Sequence, residues 1–181
     1  MPAPPSTDAV RDAVDPVAVA HVLRRLARQP EAPWLHREVA QRMAERLPLI
    51  RQPPRRWIDW WAQLGGGAAA VRQAYPQAER VVVEPDEVLQ ARGRPLAAPW
   101  WSPRRWSAQE PSALLAADVP EAGVEMVWAN MMLHACADMA GMLALWRRAL
   151  AVDGFVMFST LGPATLQELR ALYGQSGFGE A

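Results

Sequence analysis

"RRWIDWWAQLGGGAAAVRQAYPQAERVVVEPDE", residues 55–87, decides the fold. It reads as a strand near Arg56–Trp60, a glycine cluster at Gly65, Gly66 and Gly67, a helix to Tyr75, and a second strand near Arg80–Glu84. A nucleotide-type ligand asks for this order: a tight turn where backbone N–H groups come close, then a carboxylate at the end of the second strand to accept from ribose hydroxyls. Glu84 stands 25 residues after Asp59, which suits that spacing. The turn "WWAQL", Trp60–Leu64, is bulky and ill-suited to cradling phosphates; a ligand without phosphates asks less of it. On these residues alone a second reading stands beside the first, in which the glycines serve helix–strand packing and Glu84 is a solvated strand end.

Outward from this stretch the chain keeps alternating strand and helix, the pattern of an α/β protein with a largely parallel sheet. Further strands are expected near 124–129 and 154–160, and helices near 86–92, 138–150 and 164–173. Met139, Met142, Leu143, Trp146 and Leu150 recur at helical spacing, with Arg147 and Arg148 near the C-terminus where the helix dipole favours cations. Gly154 suits a left-handed turn after that helix, and Phe155–Phe158 suit a strand buried on both faces. The third crossover, "PLAAPWWSPRRWSAQEPSALLAAD", has no clean period. Two helices precede the βαβ unit, one carrying Val17, Val19, Ala20, Val22, Leu23 and Leu26, the other running from about Leu35 to Leu47. They read as a cap over residues 1–54, with the sheet domain in 55–181.

Composition restricts function. The chain has 181 residues, 51% hydrophobic and 21% charged, which suits one globular domain. Nineteen basic and nineteen acidic residues cancel, so no net field favours a polyanion, and the Arg–Trp neighbours in "QPPRRW" and "SPRRW" read as solvated edges rather than a nucleic-acid patch. Every cation is Arg, which with the abundant Ala reflects coding bias. Cys136 is the single cysteine, so neither an intrachain disulfide nor a paired-thiol metal site is expected, and its neighbours show no activating pattern beyond His134. No apolar run reaches the roughly 18 residues that span a bilayer, and the start lacks a secretory signal; a cytoplasmic protein without membrane or nucleic-acid partners is expected. The nine tryptophans are expected mainly in the core, although one could stack on a base.

The second half carries a resemblance. "VEMVWANMMLHACADMAGMLALWRRALAVDGFVMFSTLGPATLQELRALYG", residues 124–174, resembles the malonyl-acyl-carrier-protein O-methyltransferases of biotin synthesis, most specifically in "FSTLGPATLQEL", Phe158–Leu169. The resemblance implies a Rossmann-like class I methyltransferase fold that uses S-adenosylmethionine to methylate the free carboxylate of a malonyl group on acyl carrier protein or CoA. By position it places Asp59 and Gly65 beside the methionine half, Glu84 on the ribose hydroxyls, residues near Ser107–Glu110 beside the adenine, and Ala129, Asn130 and Met131 under the methyl group. The family's D-x-G-x-G-x-G is "DWWAQLG" here, so only Gly65 matches a motif glycine, and Glu125 replaces the Asp that opens the fourth-strand motif. Family members continue with two further strands, so the chain reads as a fragment, a disrupted gene or a shortened paralogue, with "FVMFST" an uncovered edge prone to self-association.

The chemistry implied is modest. A malonyl carboxylate is already ionised at neutral pH and needs alignment and exclusion of water rather than a general base. No catalytic residue is therefore demanded; His134 is a candidate to touch the acceptor, its alternative being a histidine that simply packs. Two further readings stand beside the enzyme: a catalytically degenerate methyltransferase fold that binds a partner or ligand, and a nicotinamide-dependent Rossmann enzyme, which lacks its G-x-G-x-x-G.

Overall fold

The computed structural model describes residues 15–92, 113–162 and 164–176. The elements run α1 (Pro16–Leu26), α2 (Trp34–Ala44), β1 (Arg56–Trp60), α3 (Ala62–Gly65), α4 (Ala68–Ala74), β2 (Glu79–Glu84), α5 (Glu87–Arg92), β3 (Leu114–Leu115), β4 (Val124–Ala129), α6 (Met139–Ala149), β5 (Leu150–Phe158) and α7 (Gln167–Gln175). The strands form one five-stranded sheet in the order β3-β2-β1-β4-β5, and every pairing is parallel. The order reverses between β1 and β4, and the crevice beyond the C-terminal ends at such a switch point is where open α/β sheets bind ligands.

Strand alternation sorts the side chains into two layers. One face presents Trp57, Met126 and Trp128 to Ala40, Met43, Leu47 and Val71, so that α2 and α4 cover it. The other presents Ile58, Trp60, Val81, Val83, Val127 and Ala129 to Trp146 and Ala149 of α6, with Leu23 of α1 packed alongside. β1 and β4 are thus buried on both sides, which is why they are nearly continuous apolar runs. Five tryptophans, at 57, 60, 61, 128 and 146, lie in this core, and Trp60 meets Trp146 edge-on with ring centroids 5.8 Å apart. The core role expected for tryptophan is found at these positions; Trp34 is exposed, and Trp100, Trp101 and Trp106 lie outside the described residues, as do the first fourteen residues.

Three local expectations need correction. The helix expected from Gly65 begins only at Ala68, because Gly66 turns left-handed at φ 70°, and the turn expected at Trp60–Leu64 holds the short helix α3 instead. The left-handed residue after α6 is Asp153, at φ 63°, rather than Gly154. β5 pairs with β4 at Val124↔Leu150, bulges, and resumes at Met126↔Phe155, so Asp153 absorbs the bulge and Gly154 lies inside the strand. Finally, Phe155–Phe158 are only partly buried, with Phe158 exposed, and Met139 and Leu143 of α6 are exposed as well. Both follow from β5 standing at the edge, with β4 its one sheet partner among the described residues.

Candidate functional site

At the C-terminal ends of the strands the buried polar side chains are Asp59, Glu84 and Asn130. All three were singled out in the sequence. Register places Asp59 opposite Val82, so Asp59 and Glu84 share one face of the sheet with Arg80. Arg80 donates to Asp59 Oδ2 through Nη2 at 2.6 Å and through Nε at 2.9 Å, and its guanidinium lies 5.9 Å from the Trp57 ring. Asp59 Oδ1 has no hydrogen-bond partner. Burial pushes the Asp59 carboxyl above its ordinary range, against the pull of Arg80.

Glu84 Oε1 accepts from the Gln63 N–H at 3.0 Å, while Oε2 is buried without a partner. Burial first, then the repulsion of Asp59, raises the Glu84 carboxyl to about 7, against the Gln63 hydrogen bond and the field of Arg80. Glu84 is buried, so it is not a solvated strand end. An orphan acceptor of this kind is costly unless a donor completes it.

The loop after β1 has two characters. Trp61 adopts φ 54°, a left-handed conformation uncommon for a bulky residue, and its N–H donates to Val83 O at 2.6 Å, which ties the turn to β2. The glycines divide similarly. A Cβ on Gly66 would lie 2.9 Å from Ala32 Cβ, and one on Gly67 would lie 2.3 Å from Trp128 Nε1, so both are needed for packing. A Cβ on Gly65 would meet nothing closer than 3.9 Å. The one glycine matching a family motif is thus the one that packing leaves unconstrained.

Asn130 follows β4 and works as a connector. Its amide nitrogen donates to His36 O at 2.7 Å and Gly65 O at 2.5 Å, while its Oδ1 accepts from Ser159 Oγ at 2.6 Å. Ser159 in turn accepts at Oγ from the Met131 N–H at 3.0 Å. One side chain therefore binds α2, the β1 loop and the β5 loop together at the sheet's C-terminal end. Sequence reading placed Asn130 at this site but missed His36, whose only sequence signal was its position on the second leading helix. His134 is half-buried, with Nδ1 facing the Leu161 N–H at 3.5 Å. Burial, and secondarily the field of His36, lowers its pKa. The adenine-side stretch at Ser107–Glu110 lies outside the described residues.

A groove of about 860 Å³ opens at the opposite end of the sheet, lined by Arg51, Arg55, Tyr75, Glu125, Asp153 and Phe155. It lies at the N-terminal ends of the strands, away from the crevice that the topology defines. Among the described residues no cluster of three or more His, Cys, Asp or Glu could hold a metal ion, and no helix is long and apolar enough to cross a membrane.

A parallel sheet in this order, covered on both faces and carrying a carboxylate at the end of β2, is the Rossmann-like fold of class I methyltransferases. No family model matches the sequence, but individual curated proteins do. The chain is 37% identical over 155 residues to a malonyl-acyl-carrier-protein O-methyltransferase from Laribacter hongkongensis, covering 83% of this chain and 52% of that protein. It is 35% identical over 150 residues to the enzyme of that name from Halorhodospira halophila, covering 83% and 50%. This chain is thus a sequence relative of the malonyl-acyl-carrier-protein O-methyltransferases, as the string Phe158–Leu169 led us to expect, and it spans about half the length of the curated relatives it matches. A solved structure from Staphylococcus aureus, provisionally assigned as a caffeoyl-CoA O-methyltransferase, superposes with a TM-score of 0.47 at 12% identity, covering 89% of this chain and 72% of that one, a likeness too loose to bear on the argument.

Proposed function

We propose that this chain is an S-adenosylmethionine-dependent O-methyltransferase of the biotin-pathway type, acting on the free carboxylate of a malonyl group held as a thioester on acyl carrier protein or CoA in the cytoplasm. The observation that carries the reading is Glu84: a buried carboxylate at the end of β2 whose Oε2 lacks a donor. A vicinal diol is the complement of such a group, and a ribose supplies one. Gly65, where no packing contact demands a glycine, fits a loop that a ligand approaches closely. The residues thus fit a nucleoside ligand on its ribose side. S-adenosylmethionine, when bound, supplies a methyl group already activated on sulfonium.

What the chain's own residues contribute is placement. Glu84 accepts from the ribose hydroxyls, Gly65 and the end of β1 at Asp59 border the methionine half, and Asn130 fixes the floor of the site by tying the three loops together. Asp59 acts there through its fixed place beside Arg80, a bonded carboxylate rather than a free base. None of these needs to move a proton, because the acceptor is already ionised.

The test is calorimetric titration with S-adenosylhomocysteine. Glu84→Ala should weaken binding by about 1.5–3 kcal/mol, the scale for hydrogen bonds to a charged group. Equal affinity in both proteins would remove Glu84 from the site. The second reading, a catalytically degenerate fold that serves as a binding or interaction module for a partner or another ligand, is favoured by Trp61, whose indole fills the turn where the family motif has a glycine; absence of S-adenosylhomocysteine binding in the wild type would support it.

A further inference from the structure

Glu84 is 0% exposed, and its unpartnered Oε2 is buried with it. A ribose therefore reaches that oxygen only if something above it moves. The turn after β1 supplies the cover, since Gln63 donates its backbone N–H to Glu84 Oε1 at 3.0 Å. From there the Gln63 side chain crosses to α5, where its amide nitrogen donates to Leu89 O. β1 and β2 are neighbours in a parallel sheet, so a link from the turn after β1 to the helix after β2 runs over the C-terminal end of β2, where Glu84 stands.

Most of this cover is fixed. The Trp61 N–H is tied to Val83 O at 2.6 Å, Leu64 O takes a hydrogen bond from His36 Nδ1 at 2.7 Å, and Gly65 O takes one from Asn130. α5 is held as well, with the Leu89 N–H on Asp86 Oδ1 at 2.8 Å and the Arg92 guanidinium on Ala27 O at 2.9 Å. Of residues 60–65, Gln63 alone is not buried. Its side chain is held, among the described residues, by the single neutral hydrogen bond to Leu89 O. That carbonyl lies in the last turn of α5, where a helix leaves its own acceptors without internal partners, and water replaces such a bond at little cost. Gln63 also stands where the family's D-x-G-x-G-x-G has a glycine, which has no side chain to make this link.

We propose that the Gln63 side chain is a latch over the ribose seat, closed on Leu89 O in the free protein and swung out when a nucleoside binds. The latch rests on the reading of Glu84 as that seat. A closed latch lowers affinity by the fraction of molecules found open, so removing it tightens binding without adding a contact.

Adenosine and S-adenosylhomocysteine, which share the ribose, are titrated by calorimetry into the full-length wild type and Gln63→Ala. Gln63→Ala should bind both ligands about 2–10-fold more tightly, the equilibrium equivalent of one neutral hydrogen bond. The factor should be the same for both, and the variant should unfold at a lower temperature than wild type because Leu89 O loses its donor. A side chain that only braces the turn would give the opposite, with stability and affinity falling together. Equal or weaker binding in Gln63→Ala, or a gain for S-adenosylhomocysteine alone, would overturn the latch. The wild type supplies a second measurement that holds even if Gln63→Ala does not fold. Its Gln63 side-chain amide, followed by NMR, should exchange with solvent faster when S-adenosylhomocysteine is bound, and unchanged or slower exchange would overturn the proposal. If both proteins bind the ligands equally, the latch alone is wrong; if neither binds either ligand, the ribose seat falls and the latch with it.

Discussion

Replacing Glu84 with Gln should stabilise the ligand-free protein at alkaline pH while it removes the carboxylate proposed to hold the ribose. The carboxyl moves from its ordinary value of 4.5 to about 7 in the folded chain. Between those values the native state holds a proton that the unfolded chain has released, so stability falls as pH rises through that window and levels off above about 7. The difference, about 2.5 units at 1.36 kcal/mol each, is a cost of about 3 kcal/mol carried in full at pH 8. Glu84→Gln abolishes that cost and retains an acceptor for the Gln63 N–H, but it puts an unpaired amide where Oε2 stood, which costs about 1–2 kcal/mol. The net gain at pH 8 is about 1–2 kcal/mol, or about 2–8 °C in Tm for a chain of this length. At pH 5 the gain vanishes or reverses. Thermal unfolding of both proteins from pH 5 to pH 8 is the assay, because subtracting the curves removes the contribution of His134, which does not act on Glu84. A variant no more stable than wild type at pH 8, or a difference that does not change with pH, would refute the reasoning. The same logic governs the ligand: ribose hydroxyls bond the ionised form, so binding displaces the proton and S-adenosylhomocysteine affinity should rise with pH up to about 7 in wild type and stay flat in Glu84→Gln.

The glycines should separate by role: Gly67→Ala, driven into the Trp128 indole, should destabilise by about 1–3 kcal/mol, whereas Gly65→Ala should leave chemical denaturation within about 1 kcal/mol of wild type yet weaken S-adenosylhomocysteine binding. Asn130→Asp should be about as damaging as Asn130→Ala, at about 3 kcal/mol in denaturant unfolding, because a carboxylate cannot donate to His36 O and Gly65 O; near-wild-type stability in the Asp variant would show that the donor role is misassigned. Among the described residues the outer edge of β5 is unpaired, with Phe158 and Val152 exposed, so the 181-residue chain taken by itself should self-associate, and Phe158→Lys should reduce this. Light scattering that finds a monomer at tens of micromolar, on the order used for such series, would show that the edge is protected.

What the sequence made legible follows from where local rules and tertiary demands agree. β1, β2 and β4 are short apolar runs bounded by turn residues, and buried parallel strands leave few other readings for such runs. α6 was legible from its period, though its expected buried face is only partly covered, because the spacing of Met139 and Leu143 says nothing about how many strands lie beneath them. β3 escaped notice because two residues carry no period, and its backbone pairing with Val83 and Glu84 is non-local. The glycines misled in part: glycine's allowance for φ above zero accounts for Gly66, but the need at Gly67 comes from an indole 61 residues away in sequence, at Trp128. Asp59 and Glu84 could be picked out from their spacing at the ends of the two strands of a βαβ unit, and Asn130 only by its position in the family resemblance. Their partners could not, since Arg80, Gln63 and Ser159 look like ordinary surface residues until the fold assembles them.

The contest between a working and a degenerate methyltransferase turns on Trp61, and the local energetics sharpen it. A non-glycine residue in the left-handed region costs about 1–2 kcal/mol, yet the side chain is 7% exposed and belongs to the same core cluster as Trp60 and Trp146. Burying an indole gains more than that strain loses, since truncating a buried Trp typically costs about 3–5 kcal/mol. The tryptophan is therefore held by the core, and it closes the turn at the place where a glycine would leave the backbone open. Against this, the neighbouring elements carry features that a ligand would relieve: Glu84 has an orphan oxygen, and Gly65 is a glycine without a packing reason. A fold selected only for stability has ready remedies at both positions, a neutral side chain at 84 and alanine at 65. Both liabilities beside a turn closed by tryptophan support the proposed nucleoside site on its ribose side, with the methionine side narrowed by the indole. Trp61→Gly tests this directly: it should lower stability by about 2–3 kcal/mol, the indole's loss less the strain relieved, and tighten S-adenosylhomocysteine more than it tightens adenosine, which lacks the amino-acid half. Equal effects on the two ligands would place the indole away from the methionine side and return the advantage to the degenerate reading.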